Sequence, residues 1–461
     1  MTATARDPQH IDPARSRRAL IAGSIGNFIE WYEFGVYGYF ATIIAANFFT
    51  PAGASDVEAL VKTYASFALA FFFRPLGAAL FGRLGDRLGR KPLLILVVLL
   101  MSGATALIGV LPTYATLGAA APWLLTLVRI VQGLSAGGEF GGAVSVMTEF
   151  APRGRRGLYG SWQSFTVALG LLGGAGVAAL LATVLDAGQL ADWGWRLAFL
   201  LTLPMGLGAL WLRLRLDETP SFRSERVGQV VVPAREVCAA IALGAGRVMG
   251  WAAAGYTFLV VLPSYLQSTL DASFQQALLA TVLANVGFAV TILPAGLLSD
   301  RVGRRPVMLA GAVLVVALSV PLLNLLQDDG TSNSVKGAWV FGAGAVVGLM
   351  AGPGPAMLSE MFPTSVRYTG LGLAYALSNA VFSGCAGLII TESVGRTGNV
   401  DIPAYYAAAA CAVSVLALAV TKAPPGTASW EETDADAGDR ADVRDVVRRD
   451  RRGGGRPGPR R

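Results

Sequence analysis

Five ionisable residues lie deep inside apolar runs, and their types and spacing define the chemistry open to this chain. Glu30 and Glu33 stand three residues apart in Gly26-Asn27-Phe28-Ile29-Glu30-Trp31-Tyr32-Glu33-Phe34. Residues at i and i+3 share a helical face. Two carboxylates held together in low dielectric repel, which favours keeping one of them protonated and makes it a proton carrier. Arg74, in Phe73-Arg74-Pro75-Leu76-Gly77, and Arg129, in Arg129-Ile130-Val131-Gln132-Gly133, are permanent cations that need carboxylate partners or an anionic ligand. Glu139 follows Arg129 by about 15 Å of helix. If the five share one cavity, three acids against two arginines leave one acid in excess, a place for a transported proton. Permanent pairing of these charges as structural elements is the plainer alternative. Either way, each costs at least ~2.5 kcal/mol to place at membrane depth.

A wider polar set accompanies them. Asn27, Tyr32, Tyr37, Gln132, Gln163, Tyr256, Asn285 and Asn379 are candidate cavity-lining residues, with ordinary interhelical hydrogen bonding as the alternative. Aromatic residues crowd the first apolar run (Trp31, Tyr32, Tyr37, Tyr39, Phe40), and Tyr256 and Phe258 mark the seventh. Aromatic faces hold quaternary ammonium groups by cation–π attraction; packing is the competing role. The polar set of the second half is uncharged, so charged chemistry is expected in the first half.

The elements that must position these groups are membrane helices. The chain has 461 residues, 54% hydrophobic and 15% charged, where soluble domains carry roughly a quarter charged residues. About twelve apolar runs approach the ~20 residues needed to cross a bilayer: 19–46, 59–81, 92–112, 122–148, 157–185, 195–214, 237–266, 275–298, 306–326, 337–358, 370–393 and 402–422. The expected fold is therefore an all-α membrane protein of twelve helices in two six-helix halves. Residues 1–18 form an N-terminal tail, 19–214 the first bundle, 215–236 a connector, 237–422 the second bundle, and 423–461 a polar tail too poor in apolar residues to bury a core.

Two motifs occur twice. Gly82-Arg83-Leu84-Gly85-Asp86-Arg87-Leu88-Gly89-Arg90-Lys91 matches Gly296-Leu297-Leu298-Ser299-Asp300-Arg301-Val302-Gly303-Arg304-Arg305, 214 residues later. Glu149, Pro152 and Arg156 answer to Glu360, Pro363 and Arg367 at an offset of 211. Internal duplication is what a carrier that rocks two halves about a central site requires. Gly82, Asp86, Arg87, Gly89, Arg90, Asp300, Arg301, Gly303 and Arg304 are the candidate gate residues.

Arginine and lysine fall in alternate loops, including both repeats and both tails. That pattern places the repeated loops and the termini in the cytoplasm of a multi-pass plasma (inner) membrane protein. It also accounts for the net charge of +7 without a nucleic-acid partner. Cys238, Cys385 and Cys411 form no CxxC pair and His10 is the sole histidine, so no metal or cofactor is expected. The expected coupling ion is a proton, and the expected partners are a small-molecule substrate and the lipid bilayer, with a monomer expected to suffice. No Gly-Lys-[Ser/Thr] phosphate loop is present, which excludes an ATP-driven pump.

The duplicated Asp-Arg-x-Gly-Arg loops resemble the signature loops of the major facilitator superfamily over roughly residues 19–422. Gly26-Asn27-x-x-Glu30-Trp31-Tyr32-Glu33-Phe34-Gly35, Arg74-Pro75-Leu76-Gly77 and Gln132-Gly133-x-Ser135-x-Gly137-Gly138-Glu139 resemble its metabolite:proton symporter branch, as do Asp192-Trp193-Gly194-Trp195-Arg196, Glu218-Thr219-Pro220-x-Phe222 and Phe362-Pro363-x-x-x-Arg367-Tyr368-Thr369-Gly370. That branch carries proline and betaine, α-ketoglutarate, citrate and shikimate. Pro263-Ser264-Tyr265-Leu266 and Ile402-Pro403-Ala404-Tyr405-Tyr406 look most like its osmolyte members. The tail lacks the heptads with which some osmosensing members end. The resemblance implies that Asp86 and Asp300 contact helix ends and arginines to hold a cytoplasmic gate, and that Arg129 takes part in proton coupling. The expected function is import of a zwitterionic osmolyte or an organic acid by proton symport and alternating access, not catalysis. The alternatives are a nutrient or osmotic sensor that binds without transport, and a drug/proton antiporter of the same fold.

Overall fold

The structure is a computed structural model of the whole chain, and it describes residues 13–50, 55–88, 90–137, 140–149, 151–152, 154–214, 233–362 and 366–420. Residues 1–12 of the N-terminal tail, the C-terminal tail and all but the last residues of the connector fall outside that set, as do Gly89 and Glu139, while residues 13–18, expected in the tail, form the start of the first helix.

In hydrocarbon no water meets backbone N–H and C=O groups, so an apolar run satisfies them internally as a helix. The first half holds α1 (Pro13–Tyr39, carried on to Phe49), α2 (Asp56–Leu88), α3 (Arg90–Val110), α4 (Ala120–Ala136, then Phe140–Glu149), α5 (Arg156–Val184) and α6 (Ala187–Leu214). The second holds α7 (Ala234–Thr269), α8 (Phe274–Val302), α9 (Arg304–Gln327), α10 (Asn333–Glu360), α11 (Thr369–Thr397) and α12 (Ile402–Ala419). Among the described residues nine of these are long and apolar enough to span by that measure alone, while Ile95–Val110 and Ala120–Ala136 are shorter apolar helices. With its carboxylates and basic entry, α1 completes the twelve. Exposed Phe72, Leu76 and Leu80 follow one another every four residues on α2, the stripe a helix presents to lipid.

Several helices extend beyond the apolar runs: α1 begins at Pro13 rather than 19 and α2 continues to Leu88 rather than 81. The sixth helix starts eight residues before the expected 195, because Asp186 and Gln189 form a capping box there. The backbone then passes through a wider π turn at Leu190–Gly194 before Trp195; the polar Gln189 and Asp192 hid this turn from a hydropathy reading. The seventh begins at Ala234 rather than 237, with Pro233 at its N-cap.

The halves repeat each other in their packing. In the first, α2 lies on α4; in the second, α8 lies on α10. A Cβ at Gly133 would collide with the Ala70 carbonyl, and one at Gly344 with the Ala284 carbonyl. These pairs stand at the same offsets of 211 and 214 residues as the motifs. The halves meet through α2 on α11 and α5 on α8, two contacts exchanged by the same repeat.

Candidate functional site

On α1, Glu30, Glu33, Phe34 and Tyr37 fall at i, i+3, i+4 and i+7 and form one stripe; all four are buried. Glu30 Oε1 lies 3.3 Å from Arg74 Nη2 in a buried ion pair between α1 and α2. The Arg74 guanidinium also stacks over Phe71 at 4.1 Å and Phe34 at 4.3 Å, with Trp31 at 5.8 Å. Arg129 approaches the same stripe from α4, 4.1 Å from the Tyr37 ring, 4.8 Å from Phe67 and 5.0 Å from Phe34. Phe34 thus touches both guanidinium groups. Cation–π attraction and the Glu30 charge together offset part of the cost of burying two arginines.

Arg129 Nη1 donates to Gln132 Oε1 at 2.6 Å, and Gln132 Nε2 donates to Thr105 Oγ1 of α3 at 2.5 Å. Arg129 Nε and Nη2 and Arg74 Nε make no hydrogen bond among the described residues. The four described charges of the expected five therefore share one stripe and its facing helices; Glu139 lies outside the described residues.

Between the halves is a cavity of about 30 Å³ lined by Trp31, Trp251, Tyr256, Phe288, Tyr375, Asn379 and Ser383, with small apolar side chains of α5 and α7. Trp31 and Tyr256 lie 6.1 Å apart, Trp251 and Tyr375 5.7 Å. The Tyr256 hydroxyl is buried with no hydrogen-bond partner among the described residues. Tyr256 also packs on Phe71 at 5.4 Å, the ring that carries Arg74. An aromatic box thus opens directly beside the Arg74–Glu30 pair. At roughly 10–15 Å³ per water position, this space holds about two waters.

Of the eight polar candidates, Tyr256 and Asn379 line the cavity. The other six are engaged elsewhere. Asn27 donates to Gln163 O at 3.0 Å and Thr166 Oγ1 at 2.6 Å, and Gln163 returns a 3.4 Å bond, so this pair clips α1 to α5. Tyr32 donates to Ala198 O of α6 at 2.8 Å. Tyr37 shares a 2.6 Å bond with Ser66 and stacks on Arg129; Gln132 orients Arg129. Asn285 donates to Thr281 O at 2.9 Å and Tyr39 Oη at 3.4 Å. Trp251, Phe288, Tyr375 and Ser383 were not among the sequence candidates. No local signal marks them: the spacing of Phe67, Phe71 and Arg74 at i, i+4 and i+7 on α2 marks only the face that carries the charge. The second half also holds a buried charge that the sequence reading passed over. Arg247 of α7 donates to the Ala417 and Val420 carbonyls at 3.3 and 3.2 Å, fastening the end of α12.

The end carrying the repeated loops is shut. Asp300 Oδ1 accepts from Gly157 N at 2.7 Å and Oδ2 from Leu158 N at 2.9 Å. These are first-turn N–H groups of α5, which have no intrahelical partner and sit at the positive end of the helix dipole. Arg304 pairs with Asp300 at 2.6 Å and Glu360 at 3.0 Å. The motif's Gly296 and Gly157 let α8 and α5 touch, since a Cβ on Gly296 would lie 2.8 Å from Gly157 O. Gly303 ends α8 with φ +96°, a conformation for which glycine is suited, while Arg301 is exposed. In the first-half loop Gly82, Asp86, Arg87 and Arg90 lie in the last turns of α2 and the start of α3; their side chains and Gly89 lie outside the described residues. Closer to the middle, Phe140 and Tyr375 stack at 3.5 Å. The opposite end is shut as well, by Tyr64 Oη to Ser264 Oγ at 2.6 Å and Thr42 Oγ1 to Gln267 Oε1 at 3.2 Å.

Two duplicated helix bundles closing on a central cavity at membrane depth define a secondary carrier rather than an enzyme. Comparison with known proteins gives the family. Residues 19–242 match the model of the sugar (and other) transporters and 237–451 that of the major facilitator superfamily. The chain is 34% identical over 418 residues to the proline/betaine transporter of Escherichia coli (strain K12), covering 87% of this chain and 83% of that one. It is 35% identical over 413 residues to the glycine betaine/proline/ectoine/pipecolic acid transporter OusA of Dickeya dadantii (86% and 81%). Identity to the ectoine/proline transporter ProP of Corynebacterium glutamicum is 34% over 436 residues (90% and 86%). The proton:xylose symporter XylE bound to 6-bromo-6-deoxy-D-glucose superposes with a TM-score of 0.73 at 20% identity, over 89% of this chain and 95% of that one. The inward open form of XylE from E. coli gives 0.66 at 19% identity, over 87% and 94%. The chain belongs to the major facilitator superfamily and, within it, to the metabolite:proton symporter family.

Proposed function

We propose that this transporter imports small zwitterionic osmolytes of the proline and betaine kind together with protons, by alternating access. One observation carries the substrate class: an aromatic box formed by both halves lies beside a guanidinium whose charge is already balanced by Glu30. A quaternary or secondary ammonium fits aromatic faces. Its carboxylate finds donors in the Arg74 guanidinium and the Tyr256 hydroxyl, which lack partners at Nε and Oη. A di- or tricarboxylate would need more uncompensated positive charge than a paired arginine offers. The names of the relatives support the same class.

The distribution of arginines orients the repeated loops toward the cytoplasm. The present state is then occluded, and its cavity is too small for proline or betaine, so loading requires the halves to part. Glu30 and Glu33 supply the carrier's titratable carboxylates, and the loop-end lock breaks when the cytoplasmic side opens. Radiolabelled uptake by the purified chain in proteoliposomes, competed with proline, betaine, α-ketoglutarate, citrate and shikimate, tests the substrate class. Inhibition by proline and betaine is expected; inhibition confined to the acids would overturn it. Saturable binding without accumulation would favour a sensor, and proton-driven efflux of lipophilic cations an antiporter.

A further inference from the structure

Glu30 borders a second space. A cavity of about 10 Å³, the size of one water, lies on the other shoulder of α1 from the aromatic box and is lined by Gly26, Ile29, Glu30, Val97, Val98, Met101, Ser102 and Ala136. Gly26, Ile29 and Glu30 share a helical face, while Trp31, about 100° round the helix, lines the central cavity. The Arg74–Glu30 pair therefore stands between two cavities, one formed by both halves and one enclosed within the first.

The polar content of the small cavity is Glu30 and Ser102. Ser102 is 5% exposed, and its hydroxyl has no hydrogen-bond partner among the described residues. A buried hydroxyl without a partner costs about 1–3 kcal/mol, which a water between it and a carboxylate would remove. Ser102 also lies one turn before Thr105 on α3, and Thr105 receives the bond from Gln132 that continues to Arg129. Ser102 and Thr105 thus share a face of α3 inside the first bundle, and neither lines the aromatic box.

We propose that the coupling proton leaves Glu30 through this small cavity, by way of a water held between Glu30 and Ser102, and not through the substrate cavity. The protonated Glu30 carboxyl passes its proton to the water oxygen. That water releases another of its protons to solvent admitted from the loop end, where Gly26 lies, and a carboxylate remains to pair with Arg74. No bond to carbon changes and nothing is oxidised. Among the described residues, the charged and titratable groups that face Glu30 are Arg74 of α2 and the phenols of Tyr256 on α7 and Tyr375 on α11, with Glu33 one turn along α1 and Arg129 of α4 beyond, beside Arg74 and Glu33. Substrate and proton would then meet the same ion pair from opposite sides, so neither blocks the other's exit. The inference rests on the proton-symport reading above.

The test uses Ser102→Ala, which removes the hydroxyl without adding bulk against Gly206, whose Cβ position lies 2.5 Å from Ser102 Oγ. Full-length protein in proteoliposomes is assayed with radiolabelled proline for gradient-driven accumulation and for counterflow, which needs no net deprotonation. Accumulation is expected to fall at least fivefold, with counterflow within twofold of the parent and the unfolding temperature in detergent unchanged. Equal loss of both activities, or wild-type accumulation in Ser102→Ala, would overturn the route while leaving proton symport standing. Proline accumulation by the parent chain with no accompanying proton uptake would overturn the symport reading itself, and the route with it.

Discussion

The Asp300 carboxylate of α8 lies 2.7 Å from the backbone nitrogen of Gly157 at the start of α5, so an acid of one half caps a helix of the other. Loss of the charge at a helix N-terminus removes roughly 0.5–2 kcal/mol. Asp300→Asn should therefore shift the carrier toward the state open at the loop end. Spin labels on Arg155→Cys and Val302→Cys in a cysteine-free background would report this as a growing long-distance population. An unchanged distance distribution would remove the gating role.

The buried Arg74–Glu30 pair makes a second test. Arg74→Ala leaves Glu30 in the bundle without its arginine, and breaking a buried pair costs roughly 3–5 kcal/mol. The double variant Glu30→Gln with Arg74→Met removes both charges and should recover most of the thermal stability in detergent while remaining inactive. A double variant as unstable as Arg74→Ala would show that the two residues are not energetically coupled.

Tyr256→Phe keeps the ring that packs on Phe71 and Trp31 and deletes the unpartnered hydroxyl. A hydrogen bond to a charged ligand is worth about 1.5–3 kcal/mol, so KM for proline and betaine should rise by about tenfold or more. Thermal stability should be unchanged. Parental KM values for both substrates would place the carboxylate elsewhere.

Gly344→Ala drives a methyl into the Ala284 carbonyl, whereas Gly342, two residues away, has open space around its Cβ position. Overpacking of this kind costs typically 1–3 kcal/mol. Gly344→Ala and its repeat counterpart Gly133→Ala should each lower the unfolding temperature, and Gly342→Ala should not. Equal tolerance of all three would contradict the close α8–α10 and α2–α4 approach.

Much of this was legible in the sequence because membrane helices and duplicated motifs leave local signals. The twelve runs and the joint burial of Glu30, Arg74 and Arg129 follow from hydropathy and the rarity of charge at depth, whereas the Asp300 contact with a helix end is implied only by the resemblance of the repeated loops to the family's signature. The aromatic box did not, because Trp251, Phe288 and Tyr375 are ordinary apolar-run residues until α7, α8 and α11 converge. Symmetry explains where the chemistry is absent. The packing of Gly137 on Arg74 is repeated by Gly348 on Phe288, so the counterpart of the first half's arginine is an apolar wall of the cavity. Likewise Val340 occupies the place of Arg129 at the 211-residue offset. One half thus supplies charge and the other the greater part of the aromatic surface.

The central claim is that uptake of a zwitterion and inward movement of protons are one process. It is tested most directly by loading proteoliposomes of the full chain with a pH-sensitive dye, imposing an alkaline interior, and following radiolabelled proline and betaine alongside internal pH. Accumulation above equilibrium, matched by substrate-dependent acidification and abolished by a protonophore and by Arg129→Ala, is the expected result. Equilibration without proton entry, or undiminished accumulation in Arg129→Ala, would contradict it.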